Sequence, residues 1–392
     1  MNLIQSFALQ AGQQITKPFI CEKFYPLPDC EYTTFQPFSR PSKNYDYYNE
    51  VLNIIHPILE KANIKIIQVG AKDEPGFPCC IQTQGSTSLG QLAYLIKNAK
   101  LHFGADSIGQ HYAGHFNVKL VDLVSNNYKS AVAPFWGNRD NQIILEPDRE
   151  KLKPSFALDE PYPKQINSIY PETIAAAVCK LLNLPFDYPY RTLRFGAHYN
   201  NKLVESIPDQ VIHINNLGIQ TLFYRMDVIF NEENLFKQLQ ICKCLVFTNR
   251  PINKDLIIKM KPQILEIHYE INEEYSVDFV DFLREIGVKF YMFSYLGEDE
   301  LNKAKLNLFD YGIIYKKSVS EFKDIKGLEG ADLSKIHYRS HKFTLSQEKI
   351  YPSIGAYLEN QHIPNFENVT RRVIDTPAFW REIEHFYLLT RV

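Results

Sequence analysis

The sequence predicts an α/β protein of two Rossmann-like domains with a cleft between them, and three observations carry that expectation. Short apolar runs alternate with longer stretches of helical periodicity, the pattern of parallel strands joined by crossover helices. The alternation pauses in the Pro- and Tyr-rich segment Leu184 to Tyr190 and then resumes. The chain has 392 residues, 45% of them hydrophobic, enough for two cores of ordinary size. The expected domains are therefore residues 1–187 and 188–392, the second with a C-terminal helix.

In order, Met1 to Cys30 reads as a lead-in rich in Gln, Pro and aromatics, a short strand or arm. Tyr32 to Gln36 reads as a strand, Tyr45 to Ala62 as a helix with Val51, Ile54, Ile55, Ile58 and Leu59 on its apolar side, and Ile64 to Val69 as a buried strand. Ile81 to Thr83 is a further short strand, and Thr87 to Asn98 a helix started by Ser86 or Thr87. A strand at Leu101, a helix after Asp106, a strand over Lys119 to Val124, another over Gln142 to Pro147 and a helix over Pro171 to Leu182 complete the first half. In the second half we expect strands at Thr192 to Gly196, Val211 to Ile214, Thr221 to Arg225, Cys244 to Thr248, Ile264 to His268 and Lys289 to Ser294. Helices are expected at Glu232 to Leu239, Asp255 to Met260 and Val277 to Ile286. The tail is less regular: Lys323 to Leu345 is polar, Tyr351 to Asn360 reads as helical, and Thr376 to Leu389 as an amphipathic helix carrying Phe379, Trp380, Ile383, Phe386 and Tyr387.

Composition excludes several classes. A net charge of −2 gives no field of the kind on which non-specific nucleic-acid binding depends. Seven cysteines without paired CxxC motifs argue against zinc and for a reducing compartment. No apolar run approaches the ~18 residues of a membrane span, and the first residues lack the basic and apolar regions of a leader. We expect a cytoplasmic protein without a transmembrane segment.

Chemistry concentrates in Leu95 to Val124, around Gly104-Ala105-Asp106-Ser107-Ile108-Gly109-Gln110-His111. A strand that ends in Asp-Ser and turns into a helix offers uncommitted N–H groups, a hydroxyl and the positive end of a helix dipole. That is an anion cradle. The Asp106 carboxylate would repel phosphate and so suits hydroxyls of the attached group, which together describe a nucleotide-activated sugar. The plainer alternative is that Asp106 and Ser107 only cap the helix. His111, likewise, is either functional or packed, and Arg40 and Lys43 are either solvated or stand opposite a diphosphate leaving group.

These residues resemble the nucleotide-sugar-binding domain of the ADP-heptose:lipopolysaccharide heptosyltransferases and their GT-B relatives. Ala99, Leu101, Gly104, Asp106, Ser107, His111, Ala113 and Val118 fit the family's strand-loop-helix pattern; the family's glycine after Ser/Thr is Ile108 here, with Gly109 one place later. The resemblance runs from about Thr34 to Leu184. It implies that Phe35 to Arg40 with Lys43, Ser39 included, is a phosphate-facing loop and that Glu74, in Val69 to Glu74, binds the nucleoside ribose. Pro134 to Gly137 and Ile166 to Ile174 continue the match. The family places this domain second, whereas here it comes first, so its catalytic aspartate has no counterpart to carry over. Candidate bases come instead from strand ends of the second half: His198, Asp227, and His268 or Glu270.

The resemblance implies a glycosyltransferase that is metal-independent and inverting, with no cofactor, a nucleoside-diphosphate sugar as donor, and an acceptor that is a glycan, a lipid-linked glycan, a protein, a small molecule or a modified nucleic-acid base. Two alternatives stand beside it: a hydrolase or epimerase of nucleotide sugars with the same fold, and a binding protein without catalysis.

Overall fold

The computed structural model describes residues 1–162, 164–213, 221–317, 328, 330–363, 371–372 and 376–392. The chain divides into two compact units, Met1–Pro189 and Tyr190–Val392. Among the described residues no helix is long and apolar enough to cross a membrane.

The first unit opens with α1 (Leu3–Ala11), where the sequence indicated a strand or arm; Asn2 and Gln5 form a capping box and Gly12 closes the helix in the left-handed region. Then follow β1 (Glu31–Gln36), α2 (Tyr48–Lys61), β2 (Ile64–Gln68), β3 (Ile81–Gln82), α3 (Leu89–Lys97), β4 (Leu101–Ala105), α4 (Ile108–Phe116), β5 (Lys119–Leu123), α5 (Lys129–Val132), β6 (Gln142–Leu145) and α6 (Pro171–Leu182). The cap of α3 is Ser88, in a capping box with Gln91, rather than Ser86 or Thr87. Strands pair in parallel in the order β3-β2-β1-β4-β5-β6. Because the order reverses between β1 and β4, crossovers of one hand lay helices on both faces. Thus α2 packs with α6 and α3 with α4. β4 is buried along its whole length, with Phe103 stacked on Phe35 at 4.6 Å on one face and Leu101 and Ala105 buried.

The second unit contains β7 (Tyr190–Phe195), β8 (Leu203–Ser206), β9 (Leu222–Arg225), α7 (Glu232–Ile241), β10 (Cys244–Thr248), α8 (Lys254–Met260), β11 (Ile264–Glu270), α9 (Val277–Glu285), β12 (Phe290–Ser294), α10 (Glu298–Asn307), β13 (Ile314–Lys316), β14 (Ile336–Ser340), β15 (Lys342–Ser346), β16 (Lys349–Tyr351), α11 (Ile354–Leu358), β17 (Arg371–Arg372), α12 (Pro377–Arg381) and β18 (Phe386–Arg391). One sheet has the order β13-β12-β11-β10-β9-β8-β15-β16, parallel from β13 to β15. From β8 to β13 the order never reverses. Crossovers of one hand then place α7 to α10 on a single face, where Leu235, Ile257, Phe279 and Leu301 pack on Tyr224, Val246, Ile267 and Met292. The alternation indicated by the sequence is present, and the strand order reverses between β8 and β15, which pairs in parallel on the side of β8 away from β9.

Three expectations are corrected. Thr376 to Leu389 is a short helix, α12, followed by β18, which lies between β14 and β7 in an antiparallel sheet. Its run Phe386-Tyr387-Leu388-Leu389 is buried on both faces, so adjacent apolar residues that mimic a helical stripe in sequence satisfy a central strand instead. The strand at Thr192 to Gly196 is β7 of this same sheet, outside the parallel alternation. Val211 to His213 has no regular structure, and Ile214 lies outside the described residues.

Candidate functional site

In the first unit two loops meet where the strand order reverses. After β1 the chain passes through Pro37 to Arg40 into a 3-10 turn, Pro41–Lys43. After β4 it passes through Asp106 to Ser107, whose side chain caps α4 by accepting from the Gly109 N–H at 3.4 Å. The Ser39 hydroxyl donates to the Asp106 carbonyl at 3.2 Å, and Lys43 Nζ pairs with the Asp106 carboxylate at 2.7 Å and donates to its carbonyl at 3.2 Å. Gln110 Nε2 also donates to that carboxylate. Asp106 is 3% exposed, so its charge is held by internal partners and fixes the Lys43 ammonium at the loop.

The glycines explain the close approach. Gly104 has φ 151°, and a Cβ there would overlap the Gln36 carbonyl of β1. A Cβ at Gly109 would run into the His102 ring and the Gln36 side chain, so this glycine seats α4 on the sheet while Ile108 points outward. Arg40 and His111 are exposed at this surface. Packed protein nevertheless desolvates the His111 ring and lowers its pKa, with Asp106 acting against this and Lys43 with it.

Glu74 follows β2. Its carboxylate lies against Gly70, Oε2 is buried without a hydrogen-bond partner, and burial raises its pKa against a backbone hydrogen bond from Ala71. The other matched segments have packing tasks: Gly114 admits Pro134 and Trp136, and Asn167 and Ile169 tie down Asp46 and Tyr45 ahead of α2.

Sequence reasoning missed the polar layer beneath these loops. His102 is buried with Nδ1 at 2.9 Å from Thr34 Oγ1, and burial lowers its pKa to about 3, so it is neutral. Asp122 is 1% exposed; burial, then the Asp106 charge, push its pKa well above the carboxylate range, with Lys43 opposing. The signal for it was one aspartate inside the apolar run Leu120 to Val124.

The structure brings Asp227 and Glu270 to one cavity of about 580 Å³ in the second unit, beyond the carboxyl ends of β9 and β11 and bordered by α11 and α12. They differ in what holds them. Arg225 grips Asp227 with two bonds, 2.8 and 2.7 Å, and also pairs with Glu205 at 2.7 Å and Glu382 at 3.4 Å. Lys342, 5% exposed, completes this buried network at 2.8 Å from Glu205 and beside Glu382. Burial works against Arg225 and Lys342 keeping their protons, but the carboxylates outweigh it and raise both pKa values.

Glu270 has no hydrogen-bond or ion-pair partner among the described residues, and burial raises its pKa against Arg381, with Asp227 adding to the rise. His198 is exposed and does not line the cavity, its ring lying 5.6 Å from that of His385, which does. His268 belongs to a row of rings across β10, β11 and β12, 4.4 Å from Phe247 and 5.2 Å from Tyr291. Burial, with Lys317 adding, lowers its pKa to about 4.

No protein-family model and no curated protein matches the sequence. Among solved structures, the chain is similar to the ADP-heptose lipopolysaccharide heptosyltransferase II of E. coli (15% identity over 46% of this chain and 50% of that one, TM-score 0.33). A glycosyl transferase family 9 protein of Veillonella parvula gives 16% identity, the same coverage and TM-score 0.31. The dodecameric glycosyltransferase TibC of enterotoxigenic E. coli gives 9% identity over 41% of this chain and 49% of that one, TM-score 0.34. TibC is described as iron-containing, which overturns the expectation that no cofactor is involved. Among the described residues no group of three or more His, Cys, Asp or Glu side chains fits a metal ion, and no step below is routed through one. The chain spans about half the length of the solved structures it matches, and over that span it is similar to glycosyltransferases of the heptosyltransferase kind.

Proposed function

We propose that the protein is a glycosyltransferase that moves a sugar from a nucleoside-diphosphate sugar to a hydroxyl of an acceptor, with inversion at the sugar carbon. The observation that carries this reading is the meeting of the Ser39 to Lys43 loop with the Asp106-Ser107 helix start at the reversal of strand order. Ligands of doubly wound sheets bind at such reversals, beyond the carboxyl ends of the strands.

In this reading the diphosphate lies on the first-turn N–H groups of α4 and the Ser107 hydroxyl, with Arg40 and Lys43 as cations and His111 at the rim. Asp106 positions Lys43, and Ile108 and Gly109 supply backbone. The unpartnered oxygen of Glu74 accepts from ribose hydroxyls. As the bond from the sugar carbon to the diphosphate oxygen breaks, the acceptor oxygen bonds to that carbon and its proton passes to a base, while the leaving charge collects at α4.

The expected bases were His198, Asp227, and His268 or Glu270. Glu270 is the one we assign, because it lines a cavity and has no competing partner, whereas Arg225 occupies both oxygens of Asp227. The second unit thereby takes the acceptor role. The test is calorimetric titration with nucleoside diphosphates and their sugars, followed by nucleotide release with candidate acceptors. Glu270→Gln should lower turnover about 10²–10⁴-fold with donor affinity unchanged. Failure of every nucleoside diphosphate to bind would sink the reading.

A further inference from the structure

The cavity of the second unit has a lining whose charge and surface define a ligand class. Its ionisable groups are four carboxylates, Glu205, Asp227, Glu270 and Glu382, and four cations, Arg225, Lys317, Lys342 and Arg381. His385 adds no charge, since burial lowers its pKa to about 3. The lining is therefore neutral as a whole, and its deep half is already satisfied: Arg225 and Lys342 are spent on Glu205, Asp227 and Glu382.

What remains is at the mouth. Glu270, Lys317 and Arg381 have no ion-pair partner among the described residues, Asn249 Nδ2 donates to the Asp227 carbonyl at 3.4 Å with its side-chain oxygen left to accept, and the rings of Phe223, Phe247 and Tyr295 are half-buried beside them. Arg381 lies over Tyr295 with its guanidinium carbon 4.3 Å from the ring centre, and Lys317 Nζ lies 4.3 Å from that of Phe293. These cations are held on ring faces, where their charge is partly balanced. A volume of about 580 Å³ falls in the small-molecule range of about 300–1,000 Å³.

We propose that this cavity binds a neutral carbohydrate, its apolar ring face on Phe247 and Tyr295 and its hydroxyls on Glu270, Asn249 and Lys317. A phosphate or diphosphate would find no net positive charge and would face the Glu270 carboxylate. A wholly apolar ligand would strip water from Glu270, Lys317 and Asn249 without replacing its hydrogen bonds. Hydroxyl groups both donate and accept, so a polyol satisfies a carboxylate, an ammonium and an amide at once, and its CH face covers the aromatic surface. The inference stands on the second unit alone; joined to the proposed function, it names the acceptor as a neutral sugar presenting a hydroxyl to Glu270.

The experiment is saturation-transfer NMR on the full chain, with the neutral methyl glycosides of glucose, galactose, mannose and N-acetylglucosamine as probes, and inorganic phosphate and glucose 6-phosphate as anionic counterparts. At least one neutral glycoside should receive saturation on its ring CH protons. Phe247→Ala and the isosteric Glu270→Gln should each weaken that glycoside at least five-fold, at circular dichroism matching the parent. No transfer to any of the four, equal transfer in both variants, or competition by inorganic phosphate would overturn the assignment. Nucleoside-diphosphate titration of the same samples reads the first unit separately. Glycoside binding without nucleotide binding sinks only the proposed function, and the reverse result sinks only this inference.

Discussion

The two units use the same alternation of strand and helix to opposite ends. In the first, strand order reverses between β1 and β4, helices cover both faces, and what lies exposed is the pair of loops at the reversal. In the second, the order from β8 to β13 runs one way with α7 to α10 on one face, and Arg225, Phe247, Glu270 and their neighbours line a cavity that α11 and α12 border. Charge follows this division. The first unit holds one ion pair, Lys43 with Asp106, at its loops, whereas the second buries five linked charges under its cavity. The lesson is that the same alternation of strand and helix can leave a pair of polar loops at the strand ends of one sheet and a charge-lined cavity at those of another.

The largest effect should come from the buried network. Arg225→Met leaves Glu205, Asp227 and Glu382 with Lys342 alone, and the loss is expected to be about 3–5 kcal/mol. Denaturant unfolding should show the second unit melting first, with the first unit's transition unmoved. A loss under about 1 kcal/mol would mean that the network is solvated, as surface pairs are.

Asp106→Asn attacks the smaller pair. Removing the charge frees Lys43 for a diphosphate, so bare nucleotide should bind somewhat tighter. If the carboxylate also serves sugar hydroxyls, the sugar nucleotide should lose about 1.5–3 kcal/mol, roughly ten- to a hundred-fold. Calorimetry of both ligands gives the ratio. An unchanged ratio would restrict Asp106 to holding Lys43 and capping the loop.

Asp122→Asn tests the layer below. Since the folded-state pKa of Asp122 is raised, the folded protein keeps a proton that the unfolded chain releases. Stability is therefore lost as pH rises from the unfolded carboxylate value towards the folded one. The variant should match the parent near pH 4 and exceed it at pH 7 by about 1 kcal/mol or more, ~2–4 °C in melting temperature for a unit of this size. Equal melting curves at both pH values would show an ionised, solvated Asp122. His198→Ala, at an exposed position outside the cavity lining, should change stability by less than about 0.5 kcal/mol. Its turnover should stay within a few-fold of the parent, and a loss as large as that of Glu270→Gln would return the base to His198.

Much of this was readable before the fold. Val51, Ile55 and Leu59 mark α2, Ser107 marks the start of α4, and Pro171 the start of α6, because periodicity and capping act within one turn of the chain. The loops of Ser39 to Lys43 and Asp106 to His111 were also legible, as polar residues at the ends of apolar strands. β14 and β15 were not, since Ile336 to Ser340 and Lys342 to Ser346 lie in a charged stretch and their pairing partners are far away in sequence.

The sequence by itself determined most helices and strands of the first unit and the Ser107 cap of α4, since each depends on neighbours within a few residues. Only the tertiary structure decided that Asp106 is paired to Lys43, that Phe386–Arg391 is a central strand, and that Asp227 is gripped by Arg225 while Glu270 has no such partner. These depend on which distant strands lie side by side. A charge takes its character from whatever is packed within a few ångströms of it, and sheet order sets that.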